Sequence, residues 1–120
     1  MALNSINPTQ TKAWSKLAAH FETIKESQMK TWFKENPNRA EEFTIKWEDF
    51  YVDFSKNRIT SETLELFKEL AQELNLQDAI SKYFGGDVIN QTEGRSVLHT
   101  ALRSPADVEV ILDGANVMPE

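Results

Sequence analysis

Residues 90–103 read Asn90-Gln91-Thr92-Glu93-Gly94-Arg95-Ser96-Val97-Leu98-His99-Thr100-Ala101-Leu102-Arg103. Behind a polar front end, Val97, Leu98, Ala101 and Leu102 recur at helical spacing, so the stretch is predicted to run on as a helix. Gly94, without a side chain, admits a close backbone approach or an unusual φ ahead of it. Arg95, His99 and Arg103 recur every fourth residue and would lie along one side of that helix. A row of cationic and imidazole groups suits a carboxylate or a phosphate, and it suits ordinary hydrogen bonding between helices equally well.

Upstream, the apolar pattern is mostly helical. Asn7-Pro8 is a cap-then-proline start, followed by Trp14, Leu17, Ala18, Phe21 and Ile24 as a buried stripe. His20 beside Phe21 is read as a packed or solvated residue, because a metal or catalytic role needs convergent partners. A shorter helix is expected over 29–34, and Asn36-Pro37 repeats the start signal for a short turn ending near Phe43. Ile45 and Trp47 alternate, then Phe50, Val52 and Phe54 alternate in the opposite phase. That slip, with Glu48-Asp49 between the two phases, predicts two short, half-buried strands around a turn or a bulge. Thr60 opens a helix with Leu64, Phe67, Leu70, Ala71 and Leu74 inward, and Leu76, Ala79, Ile80, Tyr83 and Phe84 mark the next. Gly85-Gly86 ends it. Beyond Pro105, Val108 to Asp113 reads as a strand, Asp113-Gly114 as a turn and Val117-Met118 as a short return strand. Pro119-Glu120 resembles a helix start with nothing behind it, so the chain is expected to be a piece of something longer. The expected fold class is mainly α with a small β element.

Composition bounds the function. The 120 residues match one domain, and 40% hydrophobic with 27% charged is globular. The net charge of −6 argues against a nucleic-acid partner, which demands clustered cations. With no cysteine there is neither a disulfide framework nor a thiolate metal site. No apolar run approaches membrane-spanning length and no signal pattern opens the chain, so a cytoplasmic setting is expected.

Chemistry is sparse. Glu62, Glu65, Glu69 and Glu73 lie on a solvated helix face, which favours solubility over acid–base work. The two histidines are read on separate helices without metal-site spacing, and Gly85-Gly86 lacks the surroundings of a phosphate loop. Lys56 and Arg58 in the polar Ser55-Lys56-Asn57-Arg58 loop are the other candidate anion holders. No catalytic, substrate-binding or metal residue is assigned.

Four stretches carry a resemblance. Thr92–Arg103, Val52-Asp53-Phe54-Ser55-Lys56-Asn57-Arg58-Ile59-Thr60, Asn7-Pro8-Thr9-Gln10-Thr11 and 113–120 occur in the order and approximate spacing of the start of the glucose-6-phosphate isomerase (phosphoglucose isomerase) family. Departures are mild: Gln91 stands where an aromatic is common, Ser96 where alanine is common, and Ser104-Pro105 replaces a more polar continuation. The resemblance implies that residues 1–120 are the N-terminal segment, the helical part of the αβα sugar-isomerase-type fold. It implies a parent enzyme of glycolysis and gluconeogenesis that interconverts glucose 6-phosphate and fructose 6-phosphate. No cofactor or metal takes part: a glutamate moves a proton through a cis-enediol, usually within a homodimer.

In the family, that glutamate, the ring-opening histidine and lysine, and the phosphate loop all lie later in sequence. The segment alone is therefore expected to be inactive. Lys56, Arg95 and His99, with His99 buried, are expected to brace loops near the sugar-phosphate domain without reacting with substrate. Twelve aromatic residues exceed what a few short helices bury. The segment is therefore expected to self-associate through exposed apolar surface, by its β-strand edges or the Phe43–Phe54 region. The alternative reading is a stand-alone helical protein-interaction module of shared ancestry.

Overall fold

Thr11 starts the first helix: its hydroxyl accepts a hydrogen bond from the Trp14 N–H at 3.1 Å, satisfying one donor that a helix start leaves orphaned. The computed structural model describes residues 3–118. Asn7-Pro8 opens a 3-10 turn, Pro8–Gln10, in place of the expected α-helix. The extended backbone of Thr11 breaks the two apart, and α1 spans Lys12–Ile24. The chain divides into two compact units, Thr9–Leu70 and Ala71–Glu120 with Met1–Pro8.

In the first unit α1 is followed by α2 (Met29–Glu35), α3 (Arg39–Glu42), β1 (Thr44–Trp47), β2 (Phe50–Asp53) and most of α4 (Ser61–Glu73). Ala13, Phe43 and Leu66 are its buried apolar residues, and Thr11, His20, Arg39, Ser55 and Thr63 are buried with them. The expected α1 stripe is turned. Ala13, Leu17, His20 and Ile24 face inward, whereas Trp14, Ala18 and Phe21 are exposed. In α4 the deepest positions are Thr63 and Leu66, with Phe67 outside. The rotation has a polar cause. His20 Nε2 lies 2.8 Å from Thr63 Oγ1, and a buried imidazole that must keep its partner fixes which faces of α1 and α4 point inward. Thr60 and Thr63 close the α4 start reciprocally, each N–H directed at the other's hydroxyl.

The phase slip in the sequence is a two-residue turn. β1 and β2 pair antiparallel with Ile45 opposite Val52 and Trp47 opposite Phe50. Glu48 takes φ +47° between them. The expected half-burial does not occur, since every β2 residue is exposed. A hairpin with no layer against it leaves both faces in solvent.

The second unit begins its regular structure at α5, Leu76–Gly85, entered from left-handed Asn75 (φ +56°) and ended by left-handed Gly86 (φ +77°), as Gly85-Gly86 foretold. A β-carbon on Gly86 would stand 3.3 Å from Leu98 and 3.8 Å from Leu112, so both leucines close on bare backbone. The helix expected through Arg95–Arg103 is absent. Asn90 instead folds the stretch into a turn: its side-chain oxygen accepts the Glu93 N–H, its carbonyl accepts those of Gly94 and Arg95, and an isolated bridge joins Asn90 to Arg95. A short polar side chain competing for local backbone donors overrides the apolar period. Only the 3-10 turn Ala101–Arg103 follows, with Ala101 buried and Leu102 85% exposed.

The strands expected at 108–113 and 117–118 shrink to β3 (Ile111–Leu112) and β4 (Ala115–Asn116). Asn116 Oδ1 accepts the N–H groups of Val110 and Met118 and so takes over the flanking backbone. Asp113 and Gly114 both have positive φ, as a tight two-residue turn requires. Pro119-Glu120 lies outside the described residues. The architecture is mainly α with two small antiparallel hairpins, and no described helix is long and apolar enough to cross a membrane.

Candidate functional site

Lys56 sits in a loop built around a residue the sequence reading passed over. Arg39, at the start of α3, is 4% exposed. Its Nε donates to the Ser55 carbonyl at 2.8 Å, and one Nη donates to the carbonyls of Asn57 (3.0 Å) and Ile59 (2.9 Å). The guanidinium carbon lies 4.3 Å from the centre of the Phe43 ring and 5.0 Å from that of Trp32. A planar, weakly hydrated cation suits this setting, where an ammonium would not. One side chain therefore shapes the whole 55–59 loop from beneath. The signal was available in sequence as an arginine with aromatic residues at Trp32, Phe33 and Phe43 around it.

The loop's outer surface carries the charge. Asp53 accepts the Ser55 N–H at 2.8 Å. The Ser55 hydroxyl, that N–H and the charge of Lys56 together hold the Asp53 carboxyl below the usual carboxylate range, against a smaller opposing effect of desolvation. Arg58 is committed to backbone, donating to the carbonyls of Lys25 and Ser27 at 2.6 and 3.0 Å. It ties the loop to the end of α1 and offers little to an anion. Lys56 remains exposed on a loop fixed on both sides.

Arg95 and His99 belong to the other unit, and the structure does not place them on one helix. Arg95 is exposed, with its backbone engaged in the Asn90 bridge. His99 is exposed in the following turn, contrary to the expected burial. The flanking leucines cannot cover it, because Leu98 closes on Gly86 and Leu102 points outward. A cavity of about 640 Å³ nearby is lined by Gly86, Gln91, Gly94, Ser96, Leu112 and the carboxylates of Asp87 and Asp113. Among the described residues that line it no side chain is cationic, and neither Arg95 nor His99 is one of them.

The buried imidazole is His20, with Thr63 Oγ1 at 2.8 Å on Nε2 and Glu62 Oε2 at 3.4 Å on Nδ1. The order hydroxyl–imidazole–carboxylate resembles a nucleophile relay. Thr63 Oγ1, however, is buried and already accepts the Thr60 N–H at 2.9 Å. The group closes a helix start and joins α1 to α4; it presents no open nucleophile. Among the described residues no cluster of three His, Asp or Glu side chains has the arrangement to hold a metal ion.

The comparisons with known proteins agree with the motif order. The family model described as Phosphoglucose isomerase matches residues 53–120, a span that includes the Asp53–Ile59 loop, Arg95 and His99. The glucose-6-phosphate isomerase of Christiangramia forsetii is 54% identical over 118 residues, covering 98% of this chain and 22% of the relative. That of Gloeobacter violaceus is 53% identical over 112 residues, covering 93% and 20%. That of Desulforapulum autotrophicum is 46% identical over 117 residues, covering 98% and 21%. The chain thus spans about a fifth of the length of the curated relatives it matches. It belongs to the phosphoglucose isomerase family and corresponds to an N-terminal segment of it.

Proposed function

We propose that this chain serves as the N-terminal, non-catalytic segment of a glucose-6-phosphate isomerase. The complete enzyme interconverts glucose 6-phosphate and fructose 6-phosphate in the cytoplasm, without a cofactor and as a homodimer. The observation that carries this reading is the agreement of nearly the whole chain, at 46–54% identity, with about a fifth of three enzymes of that name. In the family mechanism a glutamate moves a proton between C2 and C1 of the opened sugar. No residue of this chain takes that role, nor the ring-opening or phosphate-holding roles, which belong to the remaining αβα sugar-isomerase domains. The segment's own part is to present a fixed loop. Arg39 sets its backbone, and Lys56 lies on its outer surface toward those domains. Arg95 and His99, exposed in the second unit, are bracing groups for the same domains and do not react.

The test is a coupled assay for fructose 6-phosphate formation with the purified 120-residue chain. No turnover is expected above a blank. Activity that follows the chain through successive columns contradicts the reading.

A further inference from the structure

The β1–β2 hairpin sorts its side chains by chemistry. Because Ile45 stands opposite Val52 and Trp47 opposite Phe50, these four share one face. Thr44, Lys46, Tyr51 and Asp53 share the other. The first face is wholly apolar and turned to solvent: Ile45 is 58% exposed, Trp47 62%, Phe50 63% and Val52 51%. It is also ordered, with the Trp47 and Phe50 rings stacked at 5.5 Å between centres and 17° between planes. The polar face has its own internal contact, Lys46 Nζ lying 5.2 Å from the Tyr51 ring centre. An amphipathic hairpin with its polar side satisfied and its apolar side bare is built to be covered.

We infer that the Ile45–Trp47–Phe50–Val52 face docks onto the remaining part of the same family polypeptide, on an apolar surface bordered by Lys or Arg side chains. The inference rests on the proposed role as an isomerase segment. Three observations select this occupant over a second copy. The matched segment covers 20–22% of the relatives, which leaves 78–80% of their length to supply a covering surface. Four side chains offer a few hundred Å², well short of the roughly 800 Å² per partner of a stable complex between separate molecules. A tethered surface needs far less, since attachment alone supplies an effective concentration in the millimolar range. Charge points the same way. Each copy carries a net −6, and Glu48-Asp49 sits at the hairpin tip between Trp47 and Phe50. Two copies therefore meet with like charge, whereas a cation-rimmed surface is attracted.

Hydroxyl-radical footprinting tests the assignment. The 120-residue chain is compared with a longer protein in which it replaces the matching segment of the Christiangramia forsetii enzyme, and with a second fusion to the Gloeobacter violaceus remainder. Trp47 and Phe50 should lose reactivity about tenfold in the longer proteins, as residues in an interface core do, while Tyr51 on the opposite face changes less than about twofold. The protection should persist on dilution. Equal reactivity of Trp47 in the chain and in longer proteins that turn over substrate overturns the docking and leaves the isomerase reading intact. Protection that disappears on dilution assigns the face to a second subunit and likewise overturns it. Protection in a longer protein that folds but lacks turnover supports the docking while refuting the isomerase reading.

Discussion

Arg39 donates its Nε hydrogen to the carbonyl of Ser55 at 2.8 Å across sixteen residues of sequence. With two further bonds to the carbonyls of Asn57 and Ile59, this one side chain sets the backbone of the 55–59 loop. Arg39→Met keeps much of the volume and loses all three donated bonds. The expected cost is about 2–4 kcal/mol, less than three isolated charge-assisted bonds because the bonds to Asn57 and Ile59 are only part-buried. Arg39→Lys should recover less than half, since an ammonium cannot reproduce the planar fork. Urea unfolding monitored by tryptophan fluorescence measures both, and a midpoint unchanged by Arg39→Met contradicts the assignment.

The same loop predicts a pH effect. The Asp53 carboxyl is held below its ordinary value by Ser55 and Lys56. A carboxyl whose folded pKa is depressed contributes stability above its unfolded pKa and loses it as pH falls through the folded value. The effect therefore belongs below the ordinary carboxylate value of 3.8. A carboxyl-carbon NMR titration should give Asp53 a midpoint under that value, and Ser55→Ala should move it upward. An Asp53 midpoint at or above 3.8 in the unsubstituted chain counts against the loop geometry.

The two histidines should behave oppositely. His20 is 7% exposed and hydrogen-bonded to Thr63, so His20→Ala is expected to cost about 1–3 kcal/mol and to be coupled to Thr63→Val in a double-mutant cycle. His99 is exposed, so His99→Ala in the 120-residue chain should shift Tm by less than about 3 °C. In the complete enzyme, where His99 is proposed to brace a neighbouring domain, the same change should lower Tm clearly. A large loss of turnover there with unchanged Tm and substrate affinity would make His99 a participant in the chemistry.

What the sequence disclosed follows physical lines. Local, strongly coded features were legible: the α5 stop at Gly85-Gly86, the break between two strands at Glu48-Asp49 inferred from a phase slip, and the Asp113-Gly114 turn. Helix faces were not. Trp14 and Phe21 match an apolar period yet lie outside, because apolar periodicity does not distinguish a face buried within the unit from one left for another surface. In 90–103 the leucine spacing promised a helix, and a single asparagine capturing neighbouring N–H groups prevented it. Arg39 was passed over although Trp32, Phe33 and Phe43 surround it in sequence, because the backbone carbonyls that hold it leave no mark in the side-chain pattern.

The bare hairpin face predicts weak self-association of the isolated chain. Sedimentation should reveal oligomers only at high concentration, more of them as salt screens the net −6. Trp47→Ser with Phe50→Ser should abolish them without lowering Tm, because both rings are already more than half exposed. Oligomers that survive the double substitution place the contact elsewhere.

The chain belongs to the phosphoglucose isomerase family, and its proposed role is that of a supporting segment that contributes no reacting group. Its most direct measurement is turnover of glucose 6-phosphate by the fusion in which the chain replaces the matching fifth of the Christiangramia forsetii enzyme. kcat is expected within about tenfold of the unaltered relative, or less than about 1.4 kcal/mol of barrier, because under the proposed role no reacting group has been exchanged. A fusion that folds yet fails to turn over substrate would contradict the proposed role, as would a fusion whose activity disappears on Lys56→Met with Tm and KM unchanged.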